Sequence, residues 1–183
     1  VPWFDIAPLR VIEATGEPSQ ALYDCDLPFT NRLAGGLVNV SVADVNGVVY
    51  FGNSATTNGL YSSTSGNNLT YNSGKDCALV AGYWSNLKLR TSLVSKITFG
   101  TAQHGGATYF VIQYENVGTY YGSASNKISF QVAICESTPD VVFVRYGDVI
   151  DGRDGYSLSI GAQGGKGNDG SNYPRVNLFY GST

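Results

Sequence analysis

The sequence predicts an all-β fold, a two-layer antiparallel β-sandwich with long polar loops and little helix. Three observations carry this. Between Ala107 and Asp151 three apolar runs alternate: Phe110, Ile112 and Tyr114, then Ile128, Phe130, Val132 and Ile134, then Val142, Val144 and Tyr146. A period of two places every second side chain on one face, as a strand with one buried face requires. Second, 23 glycines and 13 tyrosines against only 14% charged residues suit short strands and tight turns more than solvated helices. Third, turn-forming residues separate the runs, and Asn46-Gly47 is a strong hairpin signal.

The elements follow in order. Residues 1–20 carry Pro2, Pro8 and Pro18 among Trp3, Phe4, Ile6, Leu9, Val11 and Ile12, so this segment is expected to be extended and not helical. Left in water, those side chains would forgo several kcal/mol at about 25 cal/mol per Å². They must therefore pack, either as the chain's own edge strand or as a strand donated to a neighbouring subunit. Residues 21–183 are expected to form one sandwich domain, long enough to close a core without many disulfides or metals.

Strands at Leu37 to Val42 and Val48 to Phe51 are expected to flank Asp44-Val45-Asn46-Gly47. Residues 52–76 are nearly free of aliphatics and read as a long polar excursion, with Tyr61 and Tyr71 as anchors or contact residues. Further strands are expected at Ala78 to Trp84, Leu87 to Leu89 and Lys96 to Phe99. The turn Gln103-His104-Gly105-Gly106 then leads into the three alternating runs. The last strands, Tyr156 to Ile160 and Val176 to Tyr180, flank a glycine-rich loop from Gly161 to Gly170.

Composition excludes some partners. The net charge is -3 and Lys and Arg are scattered singly, so there is no basic stripe to neutralise phosphates, and nucleic acid is not an expected partner. No apolar stretch approaches the roughly 20 residues of a membrane-crossing helix. The Val1-Pro2-Trp3 start and the absence of methionine lead us to expect that a precursor segment is removed. Two sequons, Asn39-Val40-Ser41 and Asn68-Leu69-Thr70, agree with a secreted or cell-surface chain. Asn39 is expected on the outer face, because Val38, Val40 and Val42 point inward.

Cys25, Cys77 and Cys135 match neither a zinc site nor a CxxC motif. They read as one disulfide plus one thiol, with the pairing open, and the odd cysteine could bridge to another molecule.

Chemistry is sparse. His104 is the sole histidine and stands in a turn, and no G-x-S-x-G elbow exists. Glu115 and Glu136, which end strands, or the cluster Asp148, Asp151 and Asp154 are the glycosidase-type candidates, yet strand-end acids more often face solvent. Asp148, Asp151 and Asp154 are weak calcium candidates, opposed by Arg153 among them; Asn168-Asp169-Gly170-Ser171-Asn172 is weaker still. Lys166-Gly167 lacks the Ser/Thr of a phosphate loop. Tyr61, Tyr71, Tyr120, Tyr121, Tyr156 and Tyr173 lie in or beside polar loops and could contact sugars or proteins. No catalytic residue, and no cofactor beyond a possible calcium, is expected.

Four pieces in order carry a family resemblance: Ala81-Gly82-Tyr83-Trp84-Ser85-Asn86-Leu87, Tyr109 to Val117 with its terminal Asn116-Val117, Ser129-Phe130-Gln131-Val132, and Val142 to Val149 with Tyr146-Gly147-Asp148-Val149. Over roughly residues 78–162 the chain resembles the nidogen-like extracellular module. The resemblance implies a secreted β-sandwich-like module of matrix, adhesion or surface proteins, with no catalytic residues to carry over.

The resulting expectation is a non-catalytic secreted structural or adhesive module, a self-assembling subunit of an extracellular filament or matrix, in which Trp3, Phe4, Ile6, Leu9 and Val11 form the assembly segment. A carbohydrate-binding, lectin-like module, calcium-assisted through the Asp cluster, is the alternative. The expected partners are proteins, glycans in the alternative, with no nucleic acid and no membrane span.

Overall fold

A computed structural model describes residues 3–16, 18–34, 36–57, 77–123, 125–150, 158–164 and 175–181. Its strands are β1 (Ala7–Glu13), β2 (Leu22–Leu33), β3 (Gly36–Asp44), β4 (Val48–Gly52), β5 (Ala78–Trp84), β6 (Leu87–Lys88), β7 (Lys96–His104), β8 (Ala107–Thr119), β9 (Lys127–Cys135), β10 (Thr138–Ile150), β11 (Leu158–Gln163) and β12 (Arg175–Gly181). One sheet runs β1-β7-β8-β9-β10, with β6 against β8, and the other runs β12-β11-β5-β4-β3-β2. Neighbours are antiparallel throughout. This is the all-β sandwich that the alternating runs predict; among the described residues the helical pieces are a four-residue α-helix, Ser54–Thr57, in the polar excursion and a 3-10 turn, Thr91–Leu93.

The alternation decides the core. Phe110, Ile112 and Tyr114 of β8 and Ile128, Phe130, Val132 and Ile134 of β9 join Val49 and Phe51 of β4, Val80 of β5 and Leu27 and Leu33 of β2 in one buried cluster, with Val142 and Val144 at its border. Tyr114 and Phe130 stack at 4.3 Å between ring centroids. The Tyr114 hydroxyl reaches the opposite layer, 2.8 Å from the Asp44 carbonyl and 3.2 Å from that of Val48. Burial, with the Asp44 carboxylate nearby, drives this phenol well above its ordinary pKa, so it stays a neutral donor bolting the sheets together.

The β3–β4 hairpin forms at Asn46-Gly47 as expected, but the turn is buried. Gly47 takes φ +86° and donates its N–H to the Asp44 carbonyl at 2.9 Å. The Asn46 backbone N–H donates to Asp44 Oδ1 at 2.9 Å, its side-chain amide donates to the Ser19 carbonyl at 3.1 Å, and its Oδ1 accepts the Leu87 N–H at 2.9 Å. The Gly47 carbonyl accepts N–H groups from Gly82 and Tyr83. A hairpin turn thus anchors the start of β2, the end of β5 and the start of β6.

The N-terminal segment packs on this chain. Ala7 to Glu13 pair with Thr101 to Lys96 of β7, so β1 is an edge strand of the chain's own sheet. Phe4, 4% exposed, sits on Ala102, Val111 and Ala133 on the outer face of that sheet. Its N–H and carbonyl both bond to the Gln131 amide, at 3.0 and 2.9 Å, and the Arg145 guanidinium lies 3.5 Å from its ring centre. Ile6 is half-buried beside it, whereas Trp3, Leu9 and Val11 keep exposed surface.

Two departures have physical reasons. β2 is twelve residues of strand that the sequence analysis did not assign; it is an edge strand, where charges, proline and a register shift between Asp26 and Asn31 are tolerated. β11 continues through Gly161, Ala162 and Gln163, which had been assigned to the glycine-rich loop.

The structure joins no two of Cys25, Cys77 and Cys135 in a disulfide. The fold separates them. Cys25 lies partly exposed on β2, Cys77 is buried with Val40, Tyr50, Leu79 and Trp84 on the far face of the second sheet, and Cys135 is buried opposite Tyr109 in the first. An aromatic disulfide reagent is therefore expected to titrate Cys25 quickly in the native protein and all three thiols only after denaturation. Titration of Cys77 or Cys135 at the rate of Cys25 would contradict this arrangement.

Candidate functional site

The acids of the glycosidase reading are far apart. Glu115 on β8 pairs with Lys96 at 3.2 Å, while the Glu136 N–H donates to the Thr108 carbonyl at the other end of β8. Residues 108 and 115 of one strand are about 23 Å apart at the usual rise, whereas glycosidase carboxylates stand about 5 to 9.5 Å apart. His104 is exposed where β7 meets the turn at Gly105 and Gly106, its ring edge against Phe4.

Asp148 is exposed on β10; Asp151 and Asp154 lie outside the described residues, as do Asn168 to Asn172. Among the described residues no cluster of three or more His, Cys, Asp or Glu could hold a metal ion. Asn39 is exposed between buried Val38 and Val40, so its sequon is accessible; Asn68 lies outside the described residues.

The sheet edges differ more than the acids do. β1 is guarded by Pro8, by a register shift between Pro8 and Arg10, and by Arg10, which hydrogen-bonds the carboxylate of Asp24 at 2.9 Å and holds its carboxyl below the usual range. β2 is guarded by Asp24, Asp26, Pro28 and its own register shift. Such features stop a foreign strand from adding to an edge.

β10 is thirteen residues long, with Pro139 and Asp140 within a register shift from Thr138 to Val142, and with a second register shift between Tyr146 and Val149, where Asp148 is exposed. From Val142 to Tyr146 it pairs regularly with β9 on one side, and its far half exposes Tyr146, Val149 and Ile150 at 43, 45 and 52%. The Tyr146 hydroxyl donates to the Gly82 carbonyl, and burial of the phenol pushes its pKa up to about 12. This strand is therefore fixed to the body of the sandwich, and among the described residues no strand pairs with its outer edge. The sequence showed the strand, but which strand would be terminal depends on sheet order and had no local signal.

A family model described as NIDO related matches residues 8–179. The chain belongs to the NIDO-related, that is nidogen-related, family. The match takes in β1 through most of β12, so the family's pattern extends through the first half of the chain, beyond the 78–162 segment where the resemblance was legible. The family is of extracellular type. No helix among the described residues is long and apolar enough to cross a membrane. No curated protein and no solved structure matches the chain.

Proposed function

We propose that this NIDO-related chain is a non-catalytic, secreted structural or adhesive module that assembles with copies of itself through the open edge of β10. The observation that carries this reading is the place of β10 at the end of its sheet, beyond β9, with Tyr146, Val149 and Ile150 exposed along its far half. An antiparallel pair of β10 edges related by a two-fold axis would satisfy both backbones at once. In this reading the assembly surface is β10 and not residues 1–20, because β1 pairs with β7. The exposed Asn39 suits a glycan on the opposite sheet.

Light scattering across a concentration series tests the reading. The intact chain is expected to gain mass with concentration, and the Val149→Lys/Ile150→Lys variant, which adds the charges that guard other edges, is expected to stay monomeric while remaining folded. A chain that is monomeric at every concentration, or a variant that assembles as before, would overturn it.

A further inference from the structure

Residues 3–6 cross the outer face of the first sheet, away from the β1 edge and towards β10. Ile6 and Phe4 join Ala102 of β7, Val111 of β8 and Ala133 of β9 in one apolar cluster. Trp3 then lies on Gly147 of β10: a Cβ added to that glycine would stand 3.1 Å from Trp3 Cζ3 and 3.3 Å from Cη2. Because the sheet runs β1-β7-β8-β9-β10, the segment spans its width and ends over its last strand.

Trp3 is held one residue away from its own ring. The Phe4 N–H and carbonyl take both ends of the Gln131 amide, which is fully buried and whose Nε2 also donates to Gln113 Oε1 at 2.7 Å. The Phe4 ring is enclosed by Tyr109, 4.6 Å away between centroids, and by the Arg145 guanidinium. With the backbone fixed at residue 4, ordering the Trp3 indole against a partner loses little further entropy. Gly147 completes the arrangement, because an aromatic ring can cover a strand glycine by lying on its bare backbone.

The indole nevertheless keeps 41% of its surface exposed, whereas the second tryptophan, Trp84, is fully buried. Its surroundings offer carbon more than polar groups. Ser129, beside Gly147, has its Oγ engaged by the Asn116 N–H at 3.0 Å, and further along β10 Val149 and Ile150 are exposed. A large aromatic on a fixed backbone, with apolar neighbours, is the make-up of an anchor in a protein interface and not of a sugar site, which needs convergent polar groups.

Strand spacing decides what can reach this ring. A strand added to the edge of β10 would run about 4.8 Å from it, so its side chains on the outer face would meet an indole lying on β10. A two-fold axis would bring the second copy's indole to the same seam.

We infer that Trp3 is the aromatic anchor of the β10 contact and that its occupant is β10 of a second copy of this chain. This rests on the β10 reading: the backbone pairing belongs to β10, while the N-terminal segment, whose strand is paired with β7, adds a side chain at the seam.

The chain holds two tryptophans, and with Trp84 buried, acrylamide quenching of the fluorescence reads Trp3. Quenching and light scattering are to be followed together on the intact chain over a concentration series. Quenching of Trp3 is expected to fall about threefold as the mass doubles, because interface anchors are desolvated. Trp3→Ala is expected to raise the concentration needed for assembly by about tenfold or more, with unchanged circular dichroism. A role confined to covering Gly147 would lower the urea midpoint of this variant without moving its concentration dependence. Mass that rises while Trp3 stays equally quenchable, or a Trp3→Ala chain that assembles as the parent does, would overturn this inference and leave the β10 contact standing. Mass that rises at no concentration would overturn both.

Discussion

Gly47→Ala is expected to destabilise the fold by about 4 kcal/mol, read as a large drop in the urea midpoint. Two effects add. Gly47 has φ +86°, a region where a side chain costs about 1 kcal/mol or more. A Cβ there would also overlap the Tyr83 carbonyl, which is backbone and cannot swing away. Relief would need the hairpin to lift from β5, breaking the bonds from the Gly82 and Tyr83 N–H groups to the Gly47 carbonyl. Gly105 is the internal control: its φ is +59°, but nothing stands within 4 Å of an added Cβ. Gly105→Ala is therefore expected to cost only about 1 kcal/mol. Equal losses at the two positions would show that the β3–β4 turn is not packed as described.

Gly82→Ala is the second large effect, about 3 kcal/mol. The methyl group would stand 2.5 Å from Phe130 Cε2 and 3.1 Å from Val132 Cγ2, between the two sheets. Phe130 cannot readily retreat, because its other side stacks on Tyr114, and that ring is tied to the Asp44 and Val48 carbonyls. Removing the obstacle should remove the penalty. In a Phe130→Leu background, the added cost of Gly82→Ala is expected to shrink by more than 1 kcal/mol, a coupling that chemical denaturation of the four proteins of the cycle measures directly. Additive losses would mean that the sheets are not in contact at this point.

These two glycines show what the sequence could and could not reveal. Asn46-Gly47 marks a hairpin through local backbone preference, so the turn was legible; that it would be buried under Tyr83 depends on how β4 pairs with β5, which no local pattern encodes. Gly82 sits in a run whose strand character was plain, yet its need to be glycine comes from Phe130, 48 residues later and in the other layer. The three alternating runs were readable because each has one buried face, whereas β2 was hidden by Asp24, Asp26 and Pro28, residues that an edge strand accepts and a central strand rejects.

The functional surfaces divide in the same way. Trp3 stood out as an apolar residue that must pack, but that it lies on Gly147 of β10, 144 residues later, depends on the order of strands in the first sheet. The acids Glu115 and Glu136 went the other way, close in the pattern of strand ends yet at opposite ends of β8.

Amide hydrogen exchange along β10, followed as a function of protein concentration, tests the assembly claim most directly. The account predicts that amides from Val142 to Ile150 that face away from β9 slow markedly as concentration rises, while those of β1 do not, because pairing with a second copy satisfies the open edge. If mass increases while the β10 amides exchange at an unchanged rate, the contact lies elsewhere on the molecule and the account of the open edge is wrong.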